Sequence, residues 1–74
     1  MQSSYGTVRI HAGLYISGDS RYKIRRTKNA LRKRWDWHVF VFDDGQYVFD
    51  KAFRTLVIAR QYVQSRMDAS WLLL

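Results

Sequence analysis

The sequence contains no cysteine, no proline and no glutamate, and its six acidic residues are all aspartate. Without cysteine, the chain can form neither disulfides nor thiolate zinc sites. A chain of 74 residues buries only about 60% of the surface that its unfolded form exposes, so its core is thin. Hydrophobic residues nevertheless make up 47% of the chain, which argues against disorder. The composition predicts one small domain, residues 1–74, stabilised by apolar burial or by a partner surface.

Long apolar runs are also missing. The N-terminus lacks the charged start and apolar stretch of a targeting segment, and the apolar tail WLLL at 71–74 is far too short to span a bilayer. We therefore expect an intracellular protein, cytoplasmic or nucleoid-associated, with no membrane partner. We expect the tail to pack on the core or on a second copy of the chain.

No pattern in the chain indicates catalysis. The two histidines, His11 and His38, have no cysteine beside them, and the four glycines are spread singly, which excludes a phosphate-cradling loop. Asp43 and Asp44 precede a glycine, which is typical of a turn rather than of a metal or acid–base site. The sequence predicts no enzyme, no cofactor and no metal site.

The net charge of +7 is concentrated in one segment. Residues 21–34 carry eight bases and no acid, whereas the other 60 residues carry five bases and six aspartates. An uncompensated cluster of this density costs stability and indicates an anionic partner. The eight bases are Arg21, Lys23, Arg25, Arg26, Lys28, Arg32, Lys33 and Arg34.

Alternating apolar residues predict the first strands. Residues 7–17 alternate and read as one strand, bent or bulged at Gly13. A turn follows at 18–20, and residues 22–27 alternate again, with Tyr22 and Ile24 directed inward and Lys23 outward. Residues 27–34 lose the alternation, and we expect a mobile cationic connection there, either a long loop or a single helical turn.

The next hairpin has the strongest local signal. Residues 35–42, WDWHVFVF, read as a strand, and a two-residue turn at Asp44 and Gly45 pairs it with residues 46–49. This register places Phe42 opposite Tyr47, Phe40 opposite Phe49 and Val41 opposite Val48, which gives favourable aromatic pairs. A three-residue bulge at 43–45 would reverse the parity.

A helix is predicted from Thr55, a good N-cap, over about three turns of TLVIARQYVQSRM. Its apolar stripe comprises Leu56, Ala59, Val63 and Met67, widened by Tyr62. The fold class is therefore α+β: a three- to four-stranded antiparallel meander with one C-terminal helix packed on one face.

One helix covers only one face of the sheet. If Phe40, Phe42, Tyr47 and Phe49 face the helix, the second face shows Trp35 and Trp37 beside Lys23 and Arg25. Basic residues next to exposed indoles suit a nucleic-acid groove or unpaired bases. In the alternative, the first strand, the apolar tail or a second copy covers this face.

Four segments resemble small sheet-plus-helix DNA-binding modules, namely the arm-binding domains of phage-type tyrosine recombinases and the plant ethylene-response-factor domain. The segments are GLYIS at 13–17, YKIRR at 22–26, WDWHVFVF at 35–42 and FRTLVIARQYV at 53–63. In those families the sheet lies in the major groove. By position, the resemblance implies DNA contacts from Arg25, Arg26, Arg34 and Trp37. The plant domain's glycine-rich strand ends are absent and no recombinase catalytic domain follows. We expect a free-standing phage or mobile-element accessory protein.

The sequence thus predicts a small nucleic-acid-binding module, with duplex DNA favoured and RNA or single-stranded DNA left open. The predicted site comprises the eight bases together with Trp35 and Trp37. The alternative is an inhibitor or adaptor that docks its basic face on an acidic protein, and the same charges would serve both. A homodimer through the apolar tail or the second sheet face is a further possibility.

Deletion of residues 71–74 tests the role of the tail. We expect the shortened chain to lose stability or to change its oligomeric state, because the tail would no longer bury its apolar side chains. Urea denaturation and analytical ultracentrifugation measure the two effects. Unchanged stability together with an unchanged sedimentation coefficient would contradict the expectation.

Overall fold

The computed structural model describes the backbone of residues 6–72 and the side chains of residues 6–69. It contains one antiparallel sheet, whose five strands lie in chain order, and one C-terminal helix. The elements are β1 (Thr7–His11), β2 (Leu14–Ser17), β3 (Tyr22–Asn29), β4 (Arg34–Asp43), β5 (Gln46–Phe53) and α1 (Leu56–Leu72). The α+β meander is confirmed, but the expected count of three to four strands is too low.

The additional strand arises at Gly13. Residues 7–17 form two strands, β1 and β2, joined by a turn at Ala12 and Gly13. Gly13 has a φ of +86°, a left-handed conformation that glycine adopts without the steric cost of a Cβ. A β-bulge between Arg9 and His11 compensates for the change of parity that a two-residue turn introduces, so Val8 still pairs with Ile16. The unbroken apolar alternation therefore fits this bulged hairpin as well as a bent strand.

Asn29 explains why residues 27–34 do not form a long loop or a helical turn. Strand β3 runs through Asn29, β4 begins at Arg34, and only residues 30–33 form the turn. The Asn29 side-chain oxygen accepts a hydrogen bond from the Arg32 backbone N–H at 3.1 Å. Lys33 adopts a φ of +52°, which returns the chain into β4. The predicted connection is therefore a strand end followed by a four-residue turn.

The turn at Asp44 and Gly45 is confirmed. Their φ values are +50° and +85°, as in the type I′ turns that match the twist of a hairpin. The three predicted cross-strand pairs are also present, Phe42 with Tyr47, Phe40 with Phe49 and Val41 with Val48.

The expectation of which face the helix covers is wrong. The helix packs on the face that carries Tyr22, Ile24 and Val39, all of them buried, and the phenylalanines of β4 lie on the opposite face. The cross-strand register explains this, because Ile24 pairs with Val39 whereas Lys23 pairs with Phe40. Covering the phenylalanines with the helix would also bury Lys23, and burying an unpaired charge is costly.

The helix begins as predicted. Thr55 Oγ1 accepts a hydrogen bond from the Ile58 backbone N–H at 3.2 Å, the contact of an N-cap. Of the predicted stripe, Ala59, Val63 and Met67 are buried, and Leu56 and Tyr62 are partly buried against them. The helix extends to Leu72, beyond the predicted three turns. The predicted packing of the tail concerns side chains that lie outside the described residues.

Tyr62 fastens the helix to β5. Its hydroxyl donates a hydrogen bond to Asp50 Oδ2 at 2.6 Å, and its ring lies 5.1 Å from the Phe53 ring. Burial, and then the hydrogen bond and negative charge of Asp50, raise the pKa of Tyr62 to about 12. The folded state therefore retains the phenolic proton at pH values where the unfolded chain, with a tyrosine pKa near 10, loses it.

Tyr62→Phe should lower the free energy of unfolding at neutral pH by about 1 kcal/mol, since it removes this hydrogen bond. The Tyr62 contribution is fully present below pH 10 and is lost as pH rises through the folded pKa. The decline in stability between pH 10 and 12 should thus be shallower in the variant. Urea denaturation at a series of pH values measures it, with Tyr47→Phe as the matched control. Equal slopes for wild type and Tyr62→Phe would contradict the assignment.

Candidate nucleic-acid interface

The β3–β4 hairpin projects beyond the rest of the sheet. Strand β2 begins at Leu14, opposite Arg25, and β5 ends at Phe53, opposite Trp37. Among the described residues, no other strand pairs with residues 27–29 or 34–36, which pair only with each other. We call residues 27–36 the β-ribbon. It is a two-stranded projection that ends in the turn at 30–33.

Asp36 stabilises the β-ribbon from within. Its buried carboxylate accepts hydrogen bonds from the Asn29 side-chain amide and from Arg34 Nε, both at 3.0 Å. The Asn29 bond, followed by the bond and charge of Arg34, lowers the pKa of Asp36, although desolvation acts in the opposite direction. Arg34 is therefore occupied by an internal ion pair and has less freedom to contact a partner.

Five of the predicted cations form one exposed group. They lie on the β-ribbon or immediately before it, and none forms an ion pair with another described residue. The five are Arg25, Arg26, Lys28, Arg32 and Lys33. We call them the ribbon cations.

Arg21 and Lys23 lie apart from this group. Arg21 precedes β3 at the end opposite the β-ribbon, roughly 20 Å along the strand from the first ribbon residue at about 3.3 Å per residue. Lys23 is partly buried on the face that the helix leaves uncovered. Its Nζ lies 5.2 Å from the centroid of the Phe40 ring and 4.7 Å from that of Tyr47.

The two predicted tryptophans have different environments. Trp35 is 51% exposed, and the Arg26 guanidinium carbon lies 4.8 Å from its ring centroid. Lys28 Nζ lies 5.7 Å from the same ring. Trp37 lies on the helix-covered face, where it packs against the core and meets Tyr15 edge-on at 6.0 Å. The prediction that both indoles occupy an uncovered face is therefore wrong.

The face that the helix leaves uncovered, which we call the open face, carries aromatic residues that the sequence did not indicate as exposed. Phe42 is 46% exposed and Phe49 is 55% exposed. Phe40 lies between Lys23 and Phe49, because it pairs with both of them. The His38 ring is 5.2 Å from that of Phe49. The sequence did contain one signal for this exposure. Lys23 and Arg25 lie on the same face as these phenylalanines, and covering two cations with a helix would be costly.

A cleft of 440 Å³ lies where the β1–β2 hairpin ends and the β-ribbon continues. Its lining includes Lys23 and Arg25 from the open face together with Arg26 and Trp35, and no carboxylate among the described residues contributes to it. Gly13 forms one wall, and its carbonyl oxygen accepts a hydrogen bond from the Arg26 backbone N–H at 2.8 Å. No sequence signal indicated this cleft, because it depends on where neighbouring strands end.

Acidic residues collect at the other end of the sheet. Asp19 lies in the β2–β3 turn, and Asp43 and Asp44 lie at the β4–β5 turn. The two turns are adjacent, since the Tyr47 hydroxyl donates a hydrogen bond to the Ser20 carbonyl oxygen at 2.6 Å. The negative charge of these three aspartates is thus placed far from the ribbon cations.

The described residues contain no group of three or more histidine or acidic side chains that could hold a metal ion. Within the same part of the chain, no helix has the length and apolar character needed to cross a membrane.

Comparison with known proteins gives no match: no family model, no curated protein and no solved structure is detectably similar to the chain. The resemblance to arm-binding and ethylene-response-factor domains therefore stays an expectation from sequence pattern.

Asn29→Ala tests whether Asn29 holds the β-ribbon together. The variant loses the hydrogen bonds to the Arg32 backbone and to Asp36, so we expect it to be less stable by about 1–2 kcal/mol. Amide exchange at Arg32 should approach the rate of an unprotected amide, whereas exchange at Ile24 and Val39 should accelerate only by the roughly 5- to 30-fold that this loss of global stability produces. NMR-detected hydrogen exchange measures each site separately, and Lys28→Ala provides a control on the same strand. Unaltered exchange at Arg32 would refute this role for Asn29.

Proposed function

We propose that the protein binds duplex DNA through the β-ribbon. One observation carries the proposal: a two-stranded hairpin projects beyond the sheet and bears exposed cations that are not neutralised by neighbouring acids. A free domain of this size has no structural need for such a group, because mutual repulsion opposes its compact fold. Phosphate groups would relieve that repulsion.

The shape of the β-ribbon supports a groove-binding mode. Its two backbones are separated by about 4.8 Å, the usual spacing of paired strands. The major groove of B-DNA, about 12 Å wide, admits a two-stranded ribbon. Arg32 and Lys33 in the turn would then enter first, and Arg25 and Arg26 at the base would contact the flanking phosphates. Arginine suits this position because its planar fork can contact guanine edges as well as phosphate.

The charge distribution favours one orientation. The aspartates at the opposite end of the sheet would be repelled by a phosphate backbone, whereas the ribbon cations would be attracted to it. The protein would therefore approach DNA with the turn at 30–33 leading. The open face and the helix would remain on the sides of the complex.

A second candidate function is docking on an acidic protein. The observation that favours it is the open face, where Phe42 and Phe49 are about half exposed beside Lys23. Exposed apolar groups rimmed by polar ones often mark protein contacts. A pull-down from lysate, with and without nuclease, separates the candidates. Loss of partners after nuclease treatment supports DNA binding, and a stoichiometric protein retained after treatment supports docking.

The salt dependence of duplex binding tests the proposed function. If the five ribbon cations each neutralise one phosphate, log affinity should fall with log salt at a slope of about −4.5. The double variant Arg32→Gln with Lys33→Gln should bind more weakly, with a slope of about −2.7, because two phosphate contacts are lost. Fluorescence anisotropy with a labelled duplex at several salt concentrations measures both slopes.

The matched control is Lys51→Gln with Arg54→Gln. It removes the same net charge from exposed positions outside the β-ribbon, so its slope should stay close to that of the wild type. A flat salt dependence of the wild type would refute the proposal. An equal loss of affinity in both double variants would show that net charge, rather than the β-ribbon, determines binding.

A further inference from the structure

We propose that the cleft beside the β-ribbon binds one unpaired nucleotide, a nucleoside phosphate unit held by stacking on one side and by cations on the other. The proposal narrows the substrate class of the function proposed above and rests on it, because the β-ribbon would bring the strand to the cleft. The ligand chemistry is shared by a free nucleotide and by an extrahelical nucleotide of a nucleic acid.

The size of the cleft fits a single nucleotide. Its volume of 440 Å³ lies toward the lower end of the roughly 300–1,000 Å³ that small-molecule sites occupy. The cleft lies at the base of the β-ribbon, on the β2 side of β3. A base that leaves the duplex next to the β-ribbon would therefore have a short path into the cleft.

Trp35 and Arg26 provide the stacking surface. The indole is about half exposed, and the Arg26 guanidinium lies over it at 4.8 Å. Aromatic rings and guanidinium planes are the groups on which unpaired bases stack in proteins. Both groups line the cleft, where a base would stack on the guanidinium or on the exposed part of the indole.

Arg25 and Arg26 supply the positive charge; Lys23 also lines the cleft, but its Nζ lies over the Phe40 and Tyr47 rings. Among the described residues, the lining includes no carboxylate, so the charge of the two arginines is available for a phosphate. His11 adds a directional group. Its Nδ1 lies 3.0 Å from the Ala12 carbonyl oxygen, and in the neutral tautomer that donates this hydrogen bond, Nε2 is an acceptor for a base amino group or a sugar hydroxyl.

Gly13 allows the turn that forms one wall of the cleft, because its φ of +86° is a conformation that other residues rarely adopt. A Cβ at this position would make only ordinary van der Waals contacts with Arg26, 3.5 Å from its Cβ and 3.7 Å from its Nε. The Gly13–Arg26 backbone hydrogen bond then fixes the two sides of the cleft. The site therefore exists before a ligand arrives, which reduces the ordering cost of binding.

The test compares two labelled duplexes of identical sequence, one fully paired and one with a single unpaired nucleotide. We expect the second duplex to bind about tenfold more tightly, the contribution of one stacked base.

Trp35→Leu should bring the ratio of the two affinities close to one, whatever it does to each affinity. Arg25→Gln should lower the ratio as well, and it serves as a second variant because Arg25 is exposed and outside the core. The control Phe49→Leu alters an exposed aromatic residue on the open face and should keep the wild-type ratio.

A nucleoside monophosphate and inorganic phosphate, titrated separately, distinguish the sources of the ligand. Under the proposal, the nucleotide shifts the NMR signals of the Trp35 indole N–H and the Gly13 amide, and phosphate alone leaves the indole signal in place. Identical shifts from both probes would overturn the nucleotide assignment, as would equal affinity for the two duplexes.

The outcomes also separate this proposal from the proposed function. Tight, salt-dependent binding of both duplexes with a ratio of one would retain duplex binding and refute the cleft. Nucleotide-induced shifts in a protein that binds neither duplex would support the cleft as a site for a free nucleotide and refute duplex binding.

Discussion

The pairing of Ile24 with Val39 is the contact on which the rest of the structure depends. Both side chains are fully buried under the helix, and their pairing sets the register of the two central strands. Because side chains alternate between faces, a shift of one residue would exchange the faces of an entire strand. The pairing therefore also decides that Lys23 and Arg25 lie on the open face, where water and ligands reach them.

The β-ribbon is a consequence of unequal strand lengths around that central pair. Strands β3 and β4 have 8 and 10 residues, whereas β2 has four. A short neighbour on one side, and the end of β5 at Phe53 on the other, leave the tip of the hairpin without lateral partners. The exposed cations and the cleft both arise at this step in the sheet. One geometric feature thus accounts for the projecting shape of the β-ribbon and for the adjacent cleft.

The features that local chemistry determines could be predicted from the sequence, and those that depend on pairing between distant segments could not. Asp44 and Gly45 determine one hairpin and its register, because a two-residue turn specifies which residues of the two strands pair. Thr55 marked the start of the helix for a similar reason. The β3–β4 register depends on a four-residue turn, whose signals are the Asn29 side chain and the left-handed Lys33. Residue type alone reveals neither signal. The sequence therefore predicted the helix on the wrong face of the sheet.

The same limit applies to the candidate site. The cationic segment was evident from composition, since eight bases occur without an acid. Its division into the ribbon cations, the internally paired Arg34 and the distant Arg21 required the fold. The difference between Trp35 and Trp37 likewise depends on how far the helix and the β1–β2 hairpin extend along the sheet. The residue type and spacing of the two tryptophans would be the same whether they were covered or exposed, so the sequence does not distinguish them.

The segregation of charge along the sheet gives the molecule a permanent electric dipole. Its positive pole is the hairpin tip, and its negative pole is the pair of aspartate-bearing turns. In the field of a polyanion, a dipole of this kind experiences a torque that turns the molecule before contact. A larger share of collisions would then occur in a productive orientation, which raises the association rate more than it slows dissociation. The position of three aspartates at the far end, remote from any ligand, would thus influence how quickly the protein finds its partner.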